Sequence, residues 1–78
     1  MDERAVMAER RLGNHLKDLR TARGLTQTDL AALIGVSRKT INTVENSVFV
    51  PSTLLALALA HTLNTTVEAL FFIIDSDD

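Results

Sequence analysis

The 78-residue chain contains no cysteine, tryptophan or tyrosine, and it has only one proline and three glycines. Without cysteine it can form no disulfide framework, no thiolate metal site and no cysteine nucleophile. Its longest apolar run, within residues 54–60, is far shorter than the roughly 20 residues of a membrane-spanning helix. The N-terminal sequence MDERAVMAERR is too charged for a secretory signal. We therefore expect a cytoplasmic protein that does not associate with membranes.

The residue patterns that support catalysis are also missing. There is no nucleophile with a base at a suitable spacing, no pair of carboxylates and no glycine-rich phosphate loop. His61 lies in an apolar segment with no carboxylate or second histidine spaced to join it, and His15 lies in a charged, surface-like segment. We predict that the chain is not an enzyme, binds no metal and needs no cofactor. With no attached ligand domain, we expect no small-molecule effector.

Charge is distributed unevenly, although the net charge is only −2. Residues 10–46 contain seven lysines and arginines against three acidic residues, whereas residues 47–78 contain four acidic residues and no lysine or arginine. A basic region beside an acidic one indicates an anionic partner that docks on one side of the molecule.

The residues that are present form short helical patterns. One apolar stripe predicts a first helix over residues 11–23, and Gly24 marks its end. Thr26 is a typical N-cap for a second helix, which Gly35 ends because glycine tolerates the left-handed backbone of a sharp turn. Ser37 is a typical N-cap for a third helix that follows almost at once.

Two more helices are predicted in the second half. The fourth begins near Pro51 or Ser52 and is apolar on nearly every face, and Thr65 or Thr66 caps a short fifth helix. Residues 72–74 form either a short strand or an extension of that helix. The predicted fold class is all-α, a compact five-helix domain with a possible C-terminal strand. We divide the chain into an N-terminal extension, the helical domain, and an apolar segment with an acidic tail: residues 1–10, 11–71 and 72–78.

The closely spaced second and third helices match a helix-turn-helix pattern. The third has a narrow apolar stripe, Ile41 and Val44, and otherwise polar residues, several of which are poor helix formers. Such a helix fits the DNA major groove with its N-terminal residues nearest the base edges. Arg38 and Lys39 are suited to guanine or phosphate, and Asn42 is suited to adenine.

From about Asn14 to Phe71, the chain resembles the XRE family of bacterial and phage regulators, the lambda-repressor-like or Cro/C1-type helix-turn-helix proteins. The resemblance rests on LKDLRTARGLTQTDLAALIGVSRKTINTVEN, on the PS that follows, and on LALALAHTLNTTVEALF. It implies a five-helix fold, dimerisation and binding to pseudo-palindromic double-stranded DNA.

The resemblance also assigns roles to individual residues. It implies that Gln27 contacts phosphate and braces the third helix, and that Arg20 and Glu45 form a structural ion pair. The implied DNA-binding residues are Gln27, Ser37, Arg38, Lys39, Asn42, Thr43 and Asn46.

The segment after the third helix departs from the family pattern. Where the family often has Asn-Gly followed by a base, this chain has Asn46, Ser47 and Val48. Ser47 is expected to adopt the backbone conformation that glycine takes elsewhere, and Val48 cannot bind phosphate. We expect fewer phosphate contacts and a shallower salt dependence than is usual.

The fourth and fifth helices and the sequence FFII carry more apolar surface than a chain of this size can bury. We therefore predict a homodimer, with two recognition helices about 34 Å apart. The predicted interface residues are Val48, Val50, Leu55, Leu59, Phe72 and Ile74.

The leading interpretation is a homodimeric, sequence-specific transcriptional regulator, a repressor. Two alternatives remain open. One is the DNA-binding antitoxin of a toxin–antitoxin pair, and the other is an adaptor that uses the same fold to bind protein.

Overall fold

The computed structural model describes residues 10–75. It contains five helices and a two-stranded antiparallel sheet formed by the first and last segments of that range. The elements in chain order are β1 (Arg10–Asn14), α1 (Leu16–Ala22), α2 (Gln27–Ile34), α3 (Arg38–Glu45), α4 (Thr53–Thr62), α5 (Val67–Leu70) and β2 (Phe71–Asp75). Among these residues, no helix combines the length and hydrophobicity that a transmembrane segment requires.

A hydroxyl side chain directly before the helix caps each of α2 to α5. Thr26, Ser37, Ser52 and Thr66 each accept a hydrogen bond from the backbone N–H three residues later. This satisfies a helical donor that would otherwise have no partner. Asp29 completes a reciprocal capping box with Thr26. The structure therefore selects Thr66 rather than Thr65 as the cap of the fifth helix.

The hydrophobic core lies between the five helices. Its fully buried side chains are Leu16, Leu30, Ile41, Val44, Leu59 and Leu70. They come from all five helices, so the helices hold one another in place through a single core.

The sheet joins the two ends of the described chain. Arg10 pairs with Asp75, Leu12 with Ile73 and Asn14 with Phe71. The guanidinium of Arg10 lies 2.8 Å from the Asp75 carboxylate.

Glycine is required at position 13 of β1. The side chain of its cross-strand partner Phe72 lies over the glycine, and a Cβ atom there would overlap the ring. The same ring packs against His15 at a centroid distance of 4.7 Å. An aromatic side chain that packs over a cross-strand glycine covers the backbone that the glycine leaves exposed.

The first predicted helix is wrong at its start. It begins at Leu16 rather than near Arg11, because residues 10–14 pair with 71–75 as a strand. Leu12, which lies within the predicted helix, packs against the core from β1. The open alternative for residues 72–74 is decided in favour of a strand. The predicted boundaries after residues 10 and 71 fall within these strands, and residues 1–9 and 76–78 lie outside the described residues.

Candidate nucleic-acid interface

A tight turn sets the angle between α2 and α3. Gly35 adopts a left-handed conformation with φ of 88°, and its N–H and that of Val36 both bond to the carbonyl of Ala31. Two residues later the Ser37 side chain caps α3. The turn is short enough that α2 and α3 cross steeply and α3 lies at the surface.

Only one side of α3 faces the protein. Ile41 and Val44 are fully buried, whereas Ser37, Arg38 and Lys39 at the N-terminal end are exposed. Lysine and arginine at a helix N-terminus are unfavourable next to the positive end of the helix dipole. Their presence there indicates a role other than helix stability.

A buried ion pair fixes the C-terminal end of α3 to α1. Arg20 Nε lies 2.6 Å from Glu45 Oε2, and Arg20 Nη2 lies 3.2 Å from Glu45 Oε1. The two side chains are only 9% and 4% exposed. A third donor, Arg20 Nη1, bonds the carbonyl of Leu25 at 2.8 Å. Because the guanidinium is paired on several sides, its burial is compensated.

Gln27 and Asn42 extend this pair towards the surface. Gln27 Nε2 donates to Glu45 Oε1 at 3.0 Å, and Asn42 Nδ2 donates to Gln27 Oε1 at 3.5 Å. Both side chains are half-buried. Gln27 therefore braces α3 from the first residue of α2. Asn42 faces Gln27 on the flank of α3.

Local hydrogen bonds hold Thr43 on α3 and Asn46 directly after it. Thr43 donates its hydroxyl to the carbonyls of Lys39 and Thr40, and the Asn46 side chain donates to the carbonyl of Asn42. These bonds fix the side-chain rotamers, so each group is presented in a defined orientation. Arg38 and Lys39 have no such partner among residues 10–75.

Arg38 also borders the first turn of α2. It lines an open depression of about 460 Å³ together with Thr26, Gln27 and Thr28. Unpaired backbone amides at a helix N-terminus attract anions. In the same turn, Thr26 lowers the pKa of Asp29, chiefly through its backbone N–H and also through its hydroxyl.

The chain after α3 turns through a left-handed residue, as the sequence indicated. Ser47 has φ of 59°, and Val48 N–H bonds the carbonyl of Thr43.

Asn14 was missed by sequence reasoning. Its side chain accepts from Leu16 N–H and donates to the carbonyl of Val44, which ties β1 to the end of α3. An asparagine two residues before a helix was the available signal.

A second surface, which we call the apolar surface, consists of large side chains that remain exposed. Its members are Val48, Phe49, Val50, Leu54, Leu57 and Ile73. A groove of about 570 Å³ runs between the α3–α4 loop and the sheet, and another of about 640 Å³ runs along α4. Leu12 lines both grooves.

The predicted dimer residues are only partly exposed here. Val48, Val50 and Phe72 are exposed, and Leu55 and Ile74 are partly buried. The prediction that Leu59 lies at a dimer interface is wrong, because its side chain is fully buried in the core and cannot contact a partner. Leu54, Leu57 and Ile73 are also exposed, although they were not among the predicted residues. The spacing of Leu54 and Leu57 was a signal, but α4 is apolar on every side, so its outward face could not be assigned.

Comparison with known proteins fits this geometry. Residues 16–70 match the helix-turn-helix family HTH_3, a match that includes α1 to α5. The chain belongs to this family, whose members include the XRE-type regulators.

Two curated relatives align with this chain over nearly their whole length. The chain is 39% identical over 64 residues to an uncharacterized HTH-type transcriptional regulator, MJ0272, of Methanocaldococcus jannaschii, which corresponds to 82% of this chain and 97% of the relative. It is 35% identical over 60 residues to another, YgzD of Bacillus subtilis, covering 77% of this chain and 91% of the relative.

A solved structure shows the same fold. The restriction-modification controller protein C.AhdI from Aeromonas hydrophila superimposes with a TM-score of 0.65 at 37% sequence identity, covering 69% of this chain and 82% of C.AhdI. The HTH_3 chain described here is therefore a DNA-binding helix-turn-helix transcriptional regulator, which is a non-enzymatic class of protein.

Proposed function

We propose that the protein is a homodimeric, sequence-specific repressor that places α3 in the major groove of pseudo-palindromic DNA. The observation that supports this most directly is the exposed, basic N-terminal end of α3 on a helix that is braced from behind. Arg38 and Lys39 project from that end, and the network of Gln27, Glu45 and Arg20 holds the helix in place.

In this proposal the side chains have separate tasks. Arg38 and Lys39 contact base edges, Thr43 presents its methyl group to a thymine, and Ser37 lies beside the backbone at the start of α3. Gln27 and Asn46 contact phosphates, joined by the amides of the first turn of α2.

The homodimer accounts for the apolar surface. Leu54 and Leu57 are 78% and 54% exposed, and Val48 and Val50 are 76% and 67% exposed. A domain of this size gains stability by burying such residues against a second copy. A two-fold contact would set both copies of α3 on one face, about one DNA turn apart. A dimer bound to an operator in this way would block transcription without contacting another protein. Repression is therefore the expected outcome.

The proposal is tested by selecting bound sites from random duplex DNA and measuring affinity at two salt concentrations. We expect enrichment of a pseudo-palindrome and an affinity that falls as salt rises, since phosphate contacts release counterions. The absence of any salt-dependent DNA binding would favour a protein-binding adaptor instead. Enrichment of an isolated half-site would contradict dimeric recognition.

Sedimentation tests the dimer independently of DNA. We expect a dimer at micromolar concentration, and a chain that remains monomeric there would count against the two-fold contact. A reporter carrying the selected site upstream of a promoter then distinguishes repression from activation. A lower signal in the presence of the protein supports a repressor, and a higher signal contradicts it.

A further inference from the structure

Four polar side chains form a hydrogen-bonded chain that runs from the core to the flank of α3. Arg20 and Gln27 both donate to Glu45, and Asn42 donates to Gln27. An ionised carboxylate can only accept hydrogen bonds, whereas an amide side chain has a donor end and an acceptor end. The charge of Glu45 therefore decides how Gln27 is oriented. Its Nε2 group faces Glu45, and its Oε1 atom faces Asn42.

We propose that Asn42 is a positioning residue for Gln27 and does not read a base. This inference rests on the proposed DNA-binding function, because it concerns how one DNA contact is prepared. Glu45 holds one hydrogen of the Gln27 amide, and Asn42 holds its oxygen. With both ends held, the second Nε2 hydrogen of Gln27 points in one direction and is available to a phosphate oxygen.

The placement of Asn42 supports this assignment. Its side chain is half-buried and directed at Gln27, whereas Arg38 and Lys39, one turn earlier on α3, are exposed. Asn42 lies between the buried Ile41 and the exposed side of the helix, so its amide reaches α2 first. The contact to Gln27 is 3.5 Å, longer than the 3.0 Å contact between Gln27 and Glu45.

A double-mutant cycle on DNA affinity tests the inference. We expect Asn42→Ala to weaken binding by about threefold to tenfold, the size of one neutral hydrogen bond, with no change in the preferred base at any position. In a Gln27→Ala background, Asn42→Ala should leave affinity nearly unchanged, because its only task has been removed. An undiminished effect in that background, or a relaxed preference at one base pair, would overturn the assignment.

Asn46→Ala is the matched control. Asn46 is an exposed asparagine whose side chain bonds the carbonyl of Asn42 and not Gln27. Its effect on affinity should therefore add to that of Gln27→Ala. If Asn46 showed the same coupling to Gln27 as Asn42 does, the coupling would reflect the whole helix, and the specific role of Asn42 would be contradicted.

NMR relaxation of the Gln27 side-chain amide in the free protein provides a readout that needs no DNA. We expect Asn42→Ala to lower the order parameter of that amide and Asn46→Ala to leave it unchanged. An unaltered Gln27 amide in Asn42→Ala would overturn the positioning role. If the wild-type chain fails to bind DNA, the proposed function fails, and this measurement still decides whether Asn42 orients Gln27.

Discussion

The helix-turn-helix unit, by which we mean α2 and α3 with the bracing Arg20 of α1, differs from the apolar surface. The two regions differ in how far their side chains find partners within one chain. In the helix-turn-helix unit, Arg20, Glu45, Gln27 and Asn42 bond to one another, and no buried side-chain polar atom in residues 10–75 lacks a partner. On the apolar surface, large side chains such as Leu54 remain mostly in solvent. The first region is fully assembled in a single chain, whereas the second leaves apolar area uncovered.

This difference indicates that the two regions respond to different changes. The helix-turn-helix unit depends on interactions within one chain, so its disruption should affect folding at any concentration. In the proposed homodimer a second copy covers the apolar surface, so its disruption should alter the concentration dependence of assembly and DNA binding. The substitutions below test that separation, beginning with the largest expected effect.

Arg20→Ala should cause the largest loss. It leaves the buried carboxylate of Glu45 without its ionic partner, and removing one member of a buried pair costs about 3–5 kcal/mol. Urea unfolding monitored by circular dichroism measures the change. Lys17→Ala, an exposed substitution on the same helix, is the control and should be close to neutral. A loss below about 1 kcal/mol, the range of a surface ion pair, would show that the pair does not hold α1 to α3.

Leu57→Ser should weaken association with little effect on folding. Burying a fully exposed leucine contributes about 1.5–3 kcal/mol. Because Leu57 is 54% exposed, about half of that is available to association, and the dimer dissociation constant should rise by about fourfold to tenfold. Sedimentation equilibrium measures it. Leu33→Ser on α2 is a matched control, because Leu33 is 63% exposed but belongs to the helix-turn-helix unit. Equal weakening by both variants would contradict the distinction between the two regions.

Arg38→Ala should reduce discrimination at one base pair by about 1–3 kcal/mol if the arginine pairs with guanine. Arg38→Lys separates charge from geometry, since lysine keeps the charge but cannot form the bidentate fork. The lysine variant should keep the salt dependence of the wild type and lose the base preference. Competition binding with single-base variants of the selected site gives both quantities. An intact base preference in Arg38→Ala would exclude Arg38 as a base reader.

Ser47→Gly should stabilise the protein. A residue other than glycine in the left-handed region is disfavoured by about 1–2 kcal/mol, and the greater freedom of glycine in the unfolded chain offsets part of that gain. Thermal unfolding should therefore show a small rise in melting temperature. Asn64→Gly is the control, because Asn64 also has positive φ, 55°, but asparagine tolerates this conformation. A larger gain at Asn64 than at Ser47 would contradict the expected strain at Ser47.

Asp29→Asn should have the smallest effect, a slight loss of stability at neutral pH that disappears in acid. Because the folded-state pKa of Asp29 is lowered, its contribution is present above the unfolded-state pKa and is lost as pH falls through the lower folded-state value. Stability of the wild type should therefore decline in that acidic range relative to the variant. Unfolding measured from neutral to acidic pH would show parallel curves if the Thr26 cap did not depend on the Asp29 charge.

Much of the helix-turn-helix unit could be predicted because its determinants are local in sequence. Thr26 and Ser37 mark the starts of α2 and α3, and Gly35 marks the turn between the two helices. The ion pair between Arg20 and Glu45 is not local, and only the resemblance to a family indicated it. Asn42 shows the limit of periodicity, because its position between two faces left its direction undetermined until Gln27 was placed.

The strands and the orientation of α4 could not be predicted for two different physical reasons. β1 acquires its structure from a partner about 60 residues away, and so short a strand containing Gly13 has no strong pattern of its own. α4 is apolar on all sides, so the inward position of Leu59 and the outward position of Leu57 depend on what packs around the helix. Neither property is contained in a local window of sequence.

The pairing of Arg10 with Asp75 brings the two ends of the folded unit side by side. A short flexible linker from residue 75 to residue 10 would therefore span little distance, and a circularly permuted chain opened in the exposed α3–α4 loop should keep the same fold. Probes attached at residue 10 and at residue 75 would lie at the same corner of the molecule.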